Sequence, residues 1–185
     1  IVAQLRVESL QIVDAECLHR VTILRAKALY GAGVIAWHQR KLEEASQMFD
    51  ASVAIWRAVG NQTGRYCAQL YQADLCLDER NPTVAIGLLH ECLAHFRQIQ
   101  DPWNLAHTLF FLGYSERRVD NNDAATRYYQ ECSSLLQGLG ERWLWSLATS
   151  HLGLIACDQG DYATAWIQIE QRLQMGREFD MKHHI

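Results

Sequence analysis

Histidines and cysteines are the side chains of this chain best suited to act as metal ligands, bases or nucleophiles. The 185 residues include 8 histidines and 6 cysteines. Zinc sites usually take histidines four residues apart on one helix face, or short clusters of cysteine and histidine. His90 and His95 are five residues apart, and His38, His107 and His151 stand alone in helical patterns, as surface or hydrogen-bonded histidines do. We therefore expect no metal site.

Nucleophile and phosphate-binding motifs are missing from the sequence. There is no Gly-x-Ser-x-Gly motif, which is the turn that exposes a catalytic serine. The Gly-x-Gly pairs are Gly31/Gly33, inside a predicted helix, and Gly138/Gly140, at the end of one. Neither pair follows a strand, as a phosphate-binding loop does. We expect the chain to have no enzymatic activity and no cofactor.

The cysteines favour small buried side chains over disulfides. They lie inside apolar helical patterns without paired short spacings, at Cys17, Cys67, Cys76, Cys92, Cys132 and Cys157. Free cysteine packs as a small hydrophobe, and reduced thiols are typical of the cytosol. These features predict a cytoplasmic protein.

Composition excludes two classes of partner. The net charge is −4 with no basic block, so the electrostatic footprint for direct nucleic-acid binding is missing. The apolar runs are too short and interrupted to cross a membrane, and Arg6, Glu8 and Asp14 interrupt any apolar signal segment. Because the first residue is Ile1 rather than Met, we expect a fragment of a longer protein.

The chain repeats itself every 40 residues. Small residues recur at Gly33, Ala73, Gly113 and Gly153. Alanines recur at Ala45, Ala85, Ala125 and Ala165, each followed four residues later by a larger apolar residue, at Phe49, Leu89, Tyr129 and Ile169. A period of about 20–50 residues is typical of a solenoid array. Only 2 prolines and 11 glycines interrupt the chain, which favours long helices.

Each period predicts two helices, A and B, joined by short turns. We expect one domain over 1–185, with a partial leading repeat at 2–19 and repeats at 21–60, 61–100, 101–140 and 141–180. Helix A of the first repeat should begin near Val21. Asn61, Asn81, Asp101, Asn121 and Asp161 stand where helices begin and can accept hydrogen bonds from the first turn, while Gly60 and Gly140 can end helices B. Turns this short force consecutive helices antiparallel.

Size alternation explains the repeated residue types. Glycine or alanine on helix A and alanine on helix B let the two backbones approach closely, and the larger residue one turn later fills the next gap. One hairpin cannot bury its own apolar face, so each depends on its neighbours.

These residues resemble the tetratricopeptide repeat. The family pattern is matched by Leu109-x2-Leu112-Gly113-x2-Glu116 with Ala125-x3-Tyr129, and by Gly160-Asp161-Tyr162 before Ala165. The resemblance covers residues 21–179 and implies an all-α, right-handed superhelical α-solenoid of antiparallel helix pairs. One departure is the period, which is 40 residues here and about 34 in the family. That length alone would also fit HEAT-type hairpins, but the small-residue positions and the Gly-Asp-Tyr turn favour the tetratricopeptide class.

The resemblance also implies a function. Repeats of 40 residues that end like Ile55-Trp-Arg-Ala-Val-Gly-Asn61 look similar to the arrays of bacterial signalling ATPases and transcription activators. This implies a non-catalytic scaffold for a protein or peptide partner, in the sensor or interaction region of such a signal-transduction or transcription-regulation protein. Neither a Walker-type phosphate loop nor a DNA-reading helix is present in this chain.

The binding residues of the family lie on helix A, facing the concave side of the superhelix. The positions that match in this chain are Lys27, Tyr30, Val34, Trp37, His38, Asp74, Asp78, His107, Phe110, Tyr114, Arg117 and Arg118. Aromatic and arginine side chains are common anchors of peptide interfaces. Packing against the neighbouring helix is the alternative for Trp37, Phe110 and Tyr114. The Lys/Asn clamp of chaperone-binding members is not reproduced, because Tyr30 and Val34 occupy its positions.

Two further functions stay open beside peptide binding. A small-molecule inducer sensor would bury most of its ligand in an enclosed pocket, whereas peptide binding needs only an open groove. Self-association is the other alternative, because terminal repeats normally carry a polar outer face and the last helix B does not. Its apolar residues predict a homodimer contact or contact with further repeats, through Trp166, Ile167, Ile169 and Leu173.

Overall fold

The protein is all-α over the residues that its computed structural model describes. These are 2–78 and 81–183 for the backbone, and 15–77, 81–174 and 177 for side chains. The described residues form eight helices and no strand: α1 (Val2–His38), α2 (Leu42–Ala58), α3 (Gln62–Asp78), α4 (Pro82–Gln98), α5 (Pro102–Arg118), α6 (Asn122–Leu139), α7 (Arg142–Asp158) and α8 (Tyr162–His183). None of the helices in this part of the chain is long and apolar enough to cross a membrane.

Helix α1 differs from the prediction of a separate helix beginning near Val21. It is one continuous helix of 37 residues from Val2 to His38, so the expected break is wrong. The segment 17–22 contains neither proline nor glycine. Thr22 does not cap a new helix, because its hydroxyl donates to the carbonyl of Leu18 one turn earlier, at 2.8 Å.

Left-handed residues end the helices at a spacing of 20 or a multiple of it. Gly60, Gly140 and Gly160 have φ angles of 72°, 69° and 77°, which confirms the predicted role of Gly60 and Gly140. Non-glycine residues take the same conformation at Arg40, Gln100 and Asp120, with φ between 53° and 60°. A left-handed residue reverses the chain within a short turn, so the next helix runs back along the previous one.

Most of the predicted N-caps form. Side-chain oxygens accept from backbone N–H groups three residues later, in the pairs Asn61–Gly64, Asp101–Asn104, Asn121–Ala124 and Asp161–Thr164. Asn81 makes no side-chain cap, so that prediction is wrong, and Pro82 alone begins α4. The sequence reading also missed Glu141, whose carboxylate caps α7 by accepting from Trp143 and Leu144.

The contacts divide the chain into two compact units, residues 1–75 and 76–185. In the first unit α1 packs against α2. Its core contains Ala36, Ala45, Phe49 and Leu75. A Cβ atom added to Gly33 would lie 2.7 Å from the Phe49 ring, so glycine is what lets α1 and α2 approach this closely.

In the second unit each helix packs against the next along the chain from α4 to α8, and α5 also contacts α7. Ala125 and Tyr129 of α6 are fully buried, as the repeat predicts. A Cβ atom on Gly113 would lie 2.9 Å from the Tyr129 ring. The α5–α6 hairpin thus has a small residue on helix A at the close approach, as the sequence predicts, but the group that Gly113 faces is the Tyr129 ring.

Candidate functional site

The predicted binding residues of the first unit mostly pack inward. Trp37 is half-buried, and its indole N–H donates to the Asp74 carboxylate at 2.5 Å. The Trp37 ring also lies edge-on to Tyr71, with ring centroids 5.8 Å apart. Tyr30 packs edge-on against Tyr71 at 5.7 Å. Trp37, Asp74 and Tyr30 thus join α1 to α3 within this unit, as in the packing alternative for Trp37.

Burial keeps the two phenols of this cluster neutral. It raises the pKa of Tyr30 well above the ordinary value for tyrosine, and the pKa of Tyr71 is also raised, by burial and by the nearby Asp74 carboxylate. Neither phenol is therefore suited to act as a base near neutral pH.

The remaining predicted residues of the first unit differ in exposure. Lys27 and His38 are exposed, and Val34 packs against the core. Asp78, the last residue of α3, belongs to the second unit, and its side chain lies outside the described residues. Among the predicted binding residues of this unit, Lys27 and His38 are thus the two whose side chains are exposed.

In the second unit, Phe110 and Tyr114 of α5 surround His151 of α7. The imidazole of His151 stacks on the Tyr129 ring, with centroids 5.1 Å apart and an interplanar angle of 3°. Phe110 and Tyr114 each lie edge-on to it at 5.7 Å. Within the described residues, neither the Tyr129 hydroxyl nor Nδ1 of His151 has a hydrogen-bond partner, so ring packing holds this cluster together.

His151 is therefore not the isolated surface or hydrogen-bonded histidine that the sequence indicated. Burial, and then the positive charges of Arg117 and Arg172, lower its pKa. His107 is half-buried 5.3 Å from the Trp103 ring, and burial lowers its pKa despite the opposing effect of Glu141. His151 stands 40 residues after Phe111, which is buried. That repeat position was the signal that could have identified His151 as a packing residue.

Two arginines of α5 lie beside this aromatic cluster. Arg117 donates to the Asp158 carboxylate of α7 at 2.9 Å. The Arg118 guanidinium lies 5.9 Å from the centre of the Tyr114 ring, within the range of a cation–π contact. Together with Asp120 and Asn122, these residues line a cavity of about 340 Å³. We call this cavity the arginine pocket; its lining is Tyr114, Arg117, Arg118, Asp120, Asn122 and Asp158.

The chemistry of the arginine pocket suits a carboxylate ligand. Guanidinium groups form paired hydrogen bonds with carboxylates. Arg118 is exposed, and the described residues place no carboxylate within ion-pair distance of it. Among the described residues, no three histidine, cysteine or acidic side chains are grouped so that they could hold a metal ion.

The predicted contact residues of α8 are all exposed. Trp166, Ile167, Ile169 and Leu173 have exposed fractions of 66 %, 53 %, 46 % and 49 %. Ile169 and Leu173 line a groove of about 650 Å³ between α7 and α8, whereas Trp166 and Ile167 lie outside it. We call this the end groove; its lining is Ser150, Gly153, Leu154, Cys157, Ile169, Arg172, Leu173 and Arg177.

Paired helices with small residues at their crossings and short left-handed turns define a tetratricopeptide-type α-solenoid. Solved structures of tetratricopeptide repeat proteins have the same fold as this chain. The fold expected from the sequence resemblance is therefore confirmed. The identity to these structures is between 13 % and 16 %, so they show the fold alone.

Three of the similar structures differ in how much of their own length aligns with this chain. A Rap protein complexed with competence and sporulation factor aligns with a TM-score of 0.80 at 16 % identity, over 85 % of this chain and 44 % of that protein. An ATPase of the signal transduction class with numerous domains, from Pyrococcus horikoshii, has a tetratricopeptide repeat sensor. It aligns with a TM-score of 0.69 at 16 % identity, over 86 % of this chain and 25 % of that protein. The tetratricopeptide domain of Arabidopsis FLU aligns with a TM-score of 0.58 at 16 % identity, over 61 % of this chain and 95 % of that domain.

The present chain thus spans less than half the length of the Rap protein. No family model matches the sequence, and no curated protein matches it.

Proposed function

We propose that this chain is a non-catalytic interaction scaffold that binds a peptide segment of a partner protein through the arginine pocket. The observation that carries the proposal is the pair Arg117 and Arg118 beside Tyr114, at an open cavity of about 340 Å³. Arginine and tyrosine dominate the binding energy of many peptide interfaces. The same three residues are among those that the family resemblance selects on helix A.

The charges of the pocket determine the kind of peptide. Arg117 is already paired with Asp158, so that pair positions its guanidinium. Arg118 is held only by the Tyr114 ring among the described residues and has its hydrogen-bond donors available. An aspartate or glutamate side chain of the peptide would pair with Arg118, and an adjacent apolar residue would cover Tyr114.

The likeness to the Rap protein and to the repeat sensor of the archaeal ATPase supports a regulatory setting. One of these proteins was solved with a factor bound, and the other carries its repeats as a sensor. By that likeness, the chain would be the sensor or interaction region of a cytoplasmic bacterial transcription regulator or signalling ATPase.

A selection from a random library of displayed 12-residue peptides tests the pocket. We expect aspartate or glutamate to be enriched among the selected peptides. Their affinity, measured by fluorescence anisotropy with labelled peptides, should fall about tenfold or more in Arg118→Gln. Arg127→Gln is the matched control, because Arg127 is exposed on α6 and does not line the pocket.

Two results would count against peptide binding. Selected peptides without acidic enrichment, or equal binding by Arg118→Gln and wild type, would contradict the pocket as the site. The sensor alternative depends on the same cavity, since ligand sites occupy about 300–1,000 Å³. Binding of a small dicarboxylate such as succinate, with no peptide selected, would favour that alternative.

A further inference from the structure

The groove of one hairpin in the second unit is filled by the first helix of the next hairpin. Between α5 and α6, the groove floor is Phe110 and Tyr129, and His151 of α7 stacks there. At the edge of the same groove, Asp158 of α7 pairs with Arg117. Helix α7 therefore contributes both an aromatic plug and an acidic contact.

The end groove repeats this arrangement 40 residues later. Leu154, Cys157 and Ile169 stand where Tyr114, Arg117 and Tyr129 stand in the preceding hairpin. Within the described residues, α8 packs against α7 and no other helix. The exposed fractions of Leu154, Ile169 and Leu173 are 47 %, 46 % and 49 %, so an apolar floor faces solvent here.

The charges of the described side chains that line this groove have one sign. Arg172 and Arg177 line it, and no acidic residue is among the lining residues of the described part of the chain. In the preceding hairpin the basic residue at the groove edge is matched by an aspartate on the helix that fills the groove. A ligand that covers Ile169 and Leu173 and carries negative charge at its flanks would therefore be complementary to the two arginines.

We propose that the end groove is a binding site for an acidic amphipathic α-helix of a partner protein. The apolar face of that helix would cover Leu154, Ile169 and Leu173, and its flanking carboxylates would pair with Arg172 and Arg177. The helix would occupy the place that α7 occupies in the preceding hairpin. This site shares no lining residue with the arginine pocket and adds a second contact to the scaffold.

A second copy of the chain fits the groove less well than such a helix. Two symmetry-related α8 helices would bring Arg172 and Arg177 of both copies into one apolar interface. Like charges brought together at an interface oppose association. A partner helix with glutamates at its flanks meets no such repulsion.

Two synthetic helices of about 18 residues, or about 27 Å, serve as probes. Both carry leucine at positions i, i+3, i+4 and i+7; one has glutamate at the flanking positions and the other has lysine. We expect the glutamate helix to bind the full chain in fluorescence anisotropy, and the lysine helix to bind at least about tenfold more weakly. The double variant Arg172→Glu/Arg177→Glu should reverse that preference.

Substitutions on α8 distinguish binding in the end groove from nonspecific hydrophobic binding. Ile169→Gln should weaken the glutamate helix about tenfold or more, whereas Ile167→Gln should not. Ile167 is as exposed as Ile169 but lies outside the groove. Both residues are about half exposed, so both variants should fold, and circular dichroism checks this.

Leu154→Gln provides a second groove variant on α7. Arg118→Gln should leave helix binding unchanged, so failure at one site is distinguishable from failure at the other.

Several outcomes would overturn the proposal. They are equal binding of both probes, binding of neither, or an equal loss from Ile167→Gln and Ile169→Gln. Light scattering gives a further arm: a dimer at micromolar concentration that Ile169→Gln abolishes and the glutamate helix does not compete with would assign the groove to a second copy.

Discussion

His151 links the packing of the second unit to pH. Its pKa is lowered by burial and by Arg117 and Arg172, so the folded chain binds fewer protons than the unfolded chain, where the pKa of histidine is about 6.5. Stability therefore falls as the pH drops below about 6.5 toward the lowered pKa, and the loss levels off below that pKa. The lowered pKa of His107 acts in the same direction.

We expect the free energy of unfolding to decrease between pH 7 and pH 5. His151→Phe keeps a ring against Tyr129 but cannot be protonated, so its stability should depend less on pH over that range. Urea unfolding at half-unit pH steps measures the difference between the two slopes. Equal slopes for His151→Phe and wild type would contradict the role given to His151.

Gly113 and Gly153 occupy the same repeat position and should respond in opposite ways to alanine. A Cβ atom on Gly113 would lie 2.9 Å from the buried Tyr129 ring, and overpacking of this kind costs about 1–3 kcal/mol. On Gly153 the nearest atom would be at 3.4 Å, so Gly153→Ala should gain up to about 1 kcal/mol of helix propensity. Urea midpoints of the two variants give the comparison, and destabilisation of the same size in both would contradict it.

The sequence predicts packing within a hairpin better than packing between hairpins. Close approach of α5 and α6 at Gly113 and Ala125 was predicted because both positions recur at one period and lie on adjacent helices. The stack of His151 on Tyr129 depends on the position and rotation of α7 relative to α6. These cannot be predicted from a single sequence. The predicted binding residues have the same problem. Trp37 and Tyr114 were chosen for their positions on helix A, and a sequence does not show whether such a side chain packs inward or lies on an open surface.

At the scale of helices, local chemistry fixes most boundaries. Proline, asparagine, aspartate and glycine at the turns predicted the starts of α3 to α8 within one residue. The predicted break in α1 rested on a change in apolar pattern alone, with no turn residue at 17–22. Without such a residue the hydrogen bonds of the helix simply continue.

Gln100 tests the strain in these turns. Its φ is 53°, a left-handed conformation that costs about 1–2 kcal/mol in a residue with a Cβ atom. Gln100→Gly removes that cost but adds entropy to the unfolded chain, so we expect a net gain of about 0.5–1 kcal/mol. The converse change, Gly140→Ala, should lose about 1 kcal/mol. Thermal and urea unfolding measure both, and a Gln100→Gly variant less stable than wild type would contradict the account.

At the scale of the whole molecule, stability in the second unit depends on neighbours. Helix α6 is covered by α5 and α7, whereas within the described residues α8 packs only on α7. In such an array local opening is easiest where a repeat has fewer neighbours. We expect the amides of 162–174 in α8 to exchange with deuterium at least about tenfold faster than those of α6. Hydrogen exchange followed by mass spectrometry resolves the two helices, and equal protection in a monomeric sample would contradict this view.

The buried thiol of Cys132 can report local opening of the α5–α6 hairpin. The thiol donates to the Ala106 carbonyl at 3.2 Å, and burial raises its pKa to about 12. Because the reactive species is the thiolate, an alkylating reagent can modify this sulfur only while the two helices are apart. Exposed Cys17 carries no such constraint. The ratio of the labelling rate of Cys132 to that of Cys17 therefore measures the opening of one hairpin in an otherwise folded chain, without any added probe.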